Sequence, residues 1–224
     1  GAQLGGHGTD TIMIEGVNSL GGATHRVVAD RIEAGTFAIA AGITGGSLTL
    51  KQARPRHLDA LIEVLRLTGI DVREVDDDLI VTATDRVLAT DISTNPFPGF
   101  PTDLQAQFMA MMCVADGSSR ISETIFENRF MHVPELVRMG ADISVDGGVA
   151  LVRGRRQLTS APVMATDLRA SVSLVLAALA TEGESEVSRI YHLDRGYSKL
   201  EEKLGQCGAR LERINDGKED DDVS

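Results

Sequence analysis

The chain has 224 residues, 42% of them apolar and 25% charged, and a formal net charge of -11. That size suits one large domain or two small ones, and the composition is that of a soluble globular protein. The acidic balance argues against a nucleic-acid partner, which needs a basic surface, and the longest apolar stretch, "ASVSLVLAALA", is far short of the about 20 residues of a membrane span.

Two cysteines, Cys113 in the apolar run "MAMMCVA" and Cys207 in "GQCGA", make no disulfide framework. Cys113 reads as a buried thiol, and a cytoplasmic location is the simpler expectation. The histidines stand singly without metal-ligand spacing, so neither a metal nor a cofactor is expected.

In chain order, residues 1–22 come first. They end in "DTIMIEGVNSLGG", which reads as the last strand of a preceding unit and a linker. From residue 23 the sequence repeats a grammar three times, over about 23–84, 85–156 and 157–215. A strand is expected first: "HRVV", "VLATDIS" or "QLTSAPVMA". An acid then opens an apolar helix: Asp30, Asp103 or Asp167. Glycine is expected to close that helix at Gly42, Gly117 or Gly183. A β-rich stretch follows: "SLTL", "SRIS" or "SEVSRI". A second helix ends at Gly69, Gly140 or Gly208. The first two repeats then carry a hairpin turning at "DDD" or "DGG".

The unit is therefore βαβαββ, and three of them packing amphipathic helices together predict one α/β domain around central helices. The third unit is incomplete. After "RLERIN" the chain becomes an acidic tail, residues 216–224, expected to be disordered. The missing strand leaves an open sheet edge, which predicts completion from another segment or edge-to-edge self-association.

The opening acids have a local explanation, since an aspartate at a helix start caps free amides and complements the dipole. Glu33 is a good first-turn acid for the same reason. The arginines fit less easily. Arg56, Arg129 and Arg195 lie 13, 11 and 13 residues before Gly69, Gly140 and Gly208, near the start of each second helix. A cation there opposes the dipole. Arg169 is a similar case, two residues after Asp167. Either each arginine pairs with a nearby aspartate, or several share an anion site at converging helix mouths. In the second case an aspartate among them would serve as a base or hold a hydroxyl. No Walker loop or dinucleotide fingerprint is present.

The segments "FPTDLQAQF", "ETIFENRFMHVPELVRMGA", "MATDLRAS" and "IYHLDRGYSKLEEKLGQCGA", with "DRIEAGTF" upstream, closely resemble the second half of the enolpyruvyl transferases that act on UDP-N-acetylglucosamine, the 1-carboxyvinyltransferases that begin peptidoglycan precursor synthesis. The resemblance covers essentially residues 1–215. It implies an inside-out α/β barrel domain, one of two that close on phosphoenolpyruvate and the nucleotide-sugar. It implies that Asp103 contacts the sugar hydroxyl as the base and that the Ile125 backbone touches the nucleotide-sugar. Arg129, Asp167, Arg169 and Arg195 would face phosphoenolpyruvate and its phosphate. Asp30 and Glu33 match the family's "DRIE" segment.

In the family the other half carries a lysine, an asparagine and a loop cysteine that donates a proton, and its N-terminal segment completes the third unit. None of these is in this chain, and neither Cys113 nor Cys207 stands where that loop would be. The chain alone is therefore expected to be inactive. Two other readings remain open: a non-catalytic nucleotide-sugar-binding or structural fragment, and a shikimate-pathway enolpyruvyl transferase.

Overall fold

The computed structural model describes residues 1–214. The expected disorder of the acidic tail lies outside the described residues. The chain opens with an antiparallel pair, β1 (Gln3–Gly5) and β2 (Met13–Glu15). Residues 10–29 are all exposed, including Ile14 and Val27. The strand expected at "HRVV" does not form. β-propensity alone cannot hold an extended segment that has no strand beside it, and no strand among the described residues pairs with residues 25–28.

Helix α1 (Arg31–Thr44) follows, with Asp30 Oδ1 accepting the Ile32 amide at 2.8 Å. It ends at Gly45, whose φ of 72° is the left-handed conformation of a C-cap. Gly42, expected to close this helix, lies inside it. A Cβ there would sit 2.6 Å from Ile70 Cδ1 and 2.9 Å from Met111 Sδ, so this glycine serves close packing rather than termination.

The first unit continues with β3 (Ser47–Leu50), a 3-10 turn at Pro55–His57, α2 (Asp59–Leu67), β4 (Asp71–Val75) and β5 (Asp78–Thr82). The second has β6 (Ile92–Ser93), a 3-10 turn at Thr102–Leu104, α3 (Gln105–Met112), β7 (Ser118–Ser122), α4 (Val133–Arg138), β8 (Asp142–Asp146) and β9 (Val149–Arg153). The third has β10 (Val163–Met164), α5 (Val172–Leu179), β11 (Val187–Ser188), α6 (Tyr191–Asp194) and α7 (Leu200–Gln206). Gly69, Gly140 and Gly208 follow α2, α4 and α7 at positive φ, as expected of helix terminators.

Among the described residues the second unit alone has the full four-stranded sheet, in the order β6-β7-β9-β8 with β6 parallel to β7. The first has β3-β5-β4 and lacks the leading parallel strand. The third has only the parallel pair β10-β11, and no strand follows α7 among the described residues.

Helices α1, α3 and α5 pack on one another in the centre. Every residue of α3 is buried, which a helix needs when it has neighbours on all sides. The sheets lie outside. In β7 and β9, Ser119, Ile121, Ala150 and Val152 turn inward while alternate residues face water. A second apolar cluster joins Phe37 and Val172 to Leu193, Tyr197, Leu200 and Leu204, and docks the last helices onto the core.

Candidate functional site

The acids before α1, α3 and α5 lie at helix starts, but their carboxylates do different things. Asp30 caps α1 and also receives Arg169 Nη2 on its second oxygen at 3.2 Å. Asp167 turns Oδ1 onto the amides of Arg169 at 2.7 Å and Ala170 at 2.6 Å, ordering the turn that leads into α5. Asp103 caps nothing. Neither the 3-10 turn that holds it nor α3 has a side-chain cap, and Asp103 Oδ1 instead accepts Arg129 Nη2 at 2.7 Å. Helix capping therefore accounts for Asp30, a turn before the helix for Asp167, and neither for Asp103.

Arg129 stands just before α4, stacked on Phe126 with its guanidinium 5.2 Å from the ring centroid. Both Arg129 and Arg169 have about one-fifth of the side chain exposed (20% and 19%), so each charge meets both its acid and solvent. Arg169 also donates to the Gly196 carbonyl at 3.2 Å and lies 5.4 Å over the Tyr197 ring.

Beneath the ion pairs is a buried polar node. The Tyr197 hydroxyl, whose pKa burial raises, lies 2.9 Å from Thr36 Oγ1. Gln107 Nε2 reaches Thr36 Oγ1 and the Tyr197 hydroxyl at 3.2 Å each, and the Asp103 carbonyl at 2.8 Å. The node ties α1 and α3 to the segment that carries Arg169's aromatic platform.

The structure brings Asp103 and Arg129 into direct contact, and likewise Asp30 and Arg169. It does not bring Arg195 or Arg56 to these pairs. Both are exposed, Arg195 at the end of α6 and Arg56 in the 3-10 turn before α2. Among the described residues neither takes part in an ion pair. Glu33 is engaged by Lys203 of α7, so it holds the last helix against α1. The Ile125 amide donates to Glu123 at 2.9 Å, which leaves its carbonyl as the polar group open to a ligand.

Ile125 belongs to a loop that lines an open cavity of about 500 Å³, formed by residues 123–130 with Gly147 and Gly148. Two residues here were not singled out from the sequence. Glu123 is 8% exposed and accepts four hydrogen bonds. Strand parity could have found it: Ser119 and Ile121 face inward, so Glu123 continues the buried row. His132 is fully buried, and neither ring nitrogen has a partner among the described residues. Burial pushes its pKa down to about 4, with Asp167 pulling it up and Arg129 pushing it down. Among the described residues no group of three or more His, Cys, Asp or Glu side chains could hold a metal ion. No described helix is long and apolar enough to cross a membrane.

Chemically, the assembly is two arginine–carboxylate pairs, of which Asp103–Arg129 meets the open cavity through Arg129. An incoming dianion competes with the carboxylates for the guanidinium groups.

A family model described as EPSP synthase (3-phosphoshikimate 1-carboxyvinyltransferase) matches residues 1–204. The UDP-N-acetylglucosamine 1-carboxyvinyltransferase of Caulobacter vibrioides is 61% identical over 215 residues, covering 96% of this chain and 50% of the relative. That of Gluconacetobacter diazotrophicus is 57% identical over 216 residues, covering 96% and 51%. The enolpyruvyl transferase NikO from Streptomyces tendae superposes with a TM-score of 0.79 at 28% identity, over 94% of this chain and 51% of that one. An EPSP synthase from Acinetobacter baumannii, at TM-score 0.71 and 19% identity, covers 96% of this chain and 53% of its own and shares the fold. The chain thus spans about half the length of the curated relatives it matches. It belongs to the EPSP synthase family of enolpyruvyl transferases.

Proposed function

We propose that the chain forms one wall of an active site that transfers the enolpyruvyl group of phosphoenolpyruvate to the 3-hydroxyl of UDP-N-acetylglucosamine. The product would enter peptidoglycan synthesis in the cytoplasm. The observation that carries this reading is the Asp103–Arg129 pair at 2.7 Å beside the cavity bordered by Ile125. The 57–61% identity to relatives bearing the UDP-N-acetylglucosamine name supports the choice of acceptor.

In this mechanism the sugar oxygen bonds to the enol carbon while the methylene carbon gains a proton. The resulting tetrahedral adduct then loses that carbon's proton and expels phosphate, which restores the double bond. Asp103 takes the hydroxyl proton. Its contact with Arg129 holds the carboxylate in place, and the substrate phosphate competes for the same guanidinium. Arg169 and Arg195 add positive charge where phosphate leaves, and Arg195, unpaired among the described residues, is available to swing inward. Asp167 orients the turn that presents Arg169. The Ile125 carbonyl accepts from the nucleotide-sugar.

The proton for the methylene carbon comes from the other wall, a domain that precedes this one in the full-length protein. Residues 1–22 belong with that domain, and residues 23–215 form the three-unit domain.

The test is phosphate release from phosphoenolpyruvate and UDP-N-acetylglucosamine. The full-length protein should turn over and the 224-residue chain alone should not. Release by the chain alone overturns the half-site reading. The matching family model is named for the shikimate-pathway enzyme, so turnover with shikimate 3-phosphate instead of the nucleotide-sugar would reassign the acceptor.

A further inference from the structure

Glu123 lies at the end of β7, on the inward-facing row of that strand. Its Oε1 accepts Thr94 Oγ1 at 2.9 Å and the amides of Ile125 and Phe126 at 2.9 and 3.1 Å. Its Oε2 accepts Thr102 Oγ1 at 2.9 Å. All four donors are neutral, and four is about the full acceptor capacity of a carboxylate.

The donors come from three separate segments. Thr94 follows β6, and it is itself fully buried and further tied to Thr124, whose amide reaches Thr94 Oγ1 at 2.9 Å. Thr102 directly precedes Asp103. Ile125 and Phe126 open the loop that carries Arg129. The Glu123 amide donates to the Gly148 carbonyl at 2.8 Å, and a Cβ on Gly148 would sit 2.9 Å from the Glu123 carbonyl, so the opposite rim of the cavity closes on the same residue.

A single turn-stabilising acid needs only the Ile125 and Phe126 amides. The bond to Thr102 adds nothing to that turn. It fixes the segment holding the acid against the loop holding its arginine.

We propose that Glu123 is a positioning residue of the active site, setting Asp103 and the Ile125 loop in register through Thr102 and the two loop amides. The inference rests on the roles given to Asp103 and Ile125 above. Asp103 keeps a rigid line to the sugar hydroxyl because its neighbour Thr102 is held from one side by Glu123, while its own carbonyl is held from the other by Gln107. A glutamine at position 123 reproduces the network. Its oxygen keeps the three Oε1 bonds, and its amide donates to Thr102 Oγ1, which can turn to accept. An alanine leaves two loop amides and two hydroxyls without their acceptor.

The test is steady-state kinetics of the full-length protein with both substrates, with thermal melting of each variant. Thr102→Val cuts only the link to Asp103. It should lower kcat about tenfold with the KM for the nucleotide-sugar changed less than about twofold, as expected of misplacing a reacting group. Glu123→Ala should lower kcat about 100-fold and raise that KM, since the Ile125 loop is also released. Glu123→Gln should stay within about threefold of the unaltered protein. Adding Thr102→Val to Glu123→Ala should do no further harm, because both cut the same link.

The inference is overturned if Thr102→Val leaves kcat within twofold, if glutamine is as damaging as alanine, or if the double variant shows additive losses. Should Glu123→Ala fail to fold, Thr102→Val and Glu123→Gln decide the matter between them. Absence of turnover in the unaltered protein overturns the proposed function, and this inference with it. Normal turnover with inert Thr102→Val and Glu123→Ala variants overturns only this inference.

Discussion

Asp30 and Arg169 are 139 residues apart in sequence and meet at 3.2 Å, the first at the start of α1 and the second in the turn before α5. The same aspartate caps α1 through its other oxygen. One carboxylate therefore does a local task and a long-range one, joining the first unit to the third. Asn caps a helix as well as Asp does. Asp30→Asn should therefore lose only the ion pair, which is partly exposed and worth less than about 1 kcal/mol. Asp30→Ala should lose about 1 kcal/mol more. Urea unfolding of the two variants checks the difference. Equal losses would mean that the cap contributes nothing.

Asp103 contrasts with Asp30 because it caps no helix. Asp103→Asn should therefore cost stability little, within about 1 kcal/mol, the range of a partly exposed ion pair. It should lower kcat of the full-length protein by about 10²- to 10⁴-fold, the range of a lost general base. Nucleotide-sugar binding, followed by calorimetry, should persist. A large stability loss with activity retained would return Asp103 to a structural role.

His132 makes stability depend on pH. Its ordinary pKa is 6.5, and burial pushes it down to about 4. Between these values the unfolded chain holds a proton that the folded chain does not. Stability is full above pH 6.5 and falls as pH drops towards 4. The gap corresponds to about 3 kcal/mol. His132→Phe removes the titrating group, so the difference in unfolding free energy between variant and parent should change by that amount across this window. A constant difference would show that His132 does not titrate with unfolding.

The two thiols should differ in reactivity. Cys113 is fully buried and its pKa is pushed up to about 12 by burial, while Cys207 is exposed at the end of α7. The thiolate is the reactive form. An aromatic disulfide reagent should therefore titrate one thiol in the native protein and two in denaturant. Two thiols reacting natively at similar rates would contradict the buried placement of Cys113.

Much of the architecture was legible in the sequence. Apolar spacing located the helices, turn residues located the two hairpins, and glycines at positive φ ended α2, α4 and α7, because each of these depends on sterics within a few residues. Where the reading failed, the cause was tertiary. "HRVV" has strand composition but no neighbouring strand among the described residues, and a ladder needs one. Gly42 looked like a terminator, yet the approach of Ile70 and Met111, from other segments, is what requires it.

The candidate site divides in the same way. The sequence alone placed an acid at each helix start and an arginine near each second helix, and left pairing and a shared anion site as alternatives. It could not say which acid caps and which pairs, because capping and ion pairing use the same carboxylate and only the partner's position separates them. Packing of α1, α3 and α5 decided that: it set Asp103 on Arg129 and Asp30 on Arg169, left Arg195 in solvent, and closed Thr94, Thr102 and the Ile125 loop onto Glu123. Local spacing encodes what a residue can do within one turn of chain. Contacts between distant segments exist only once the helices have buried their apolar faces together.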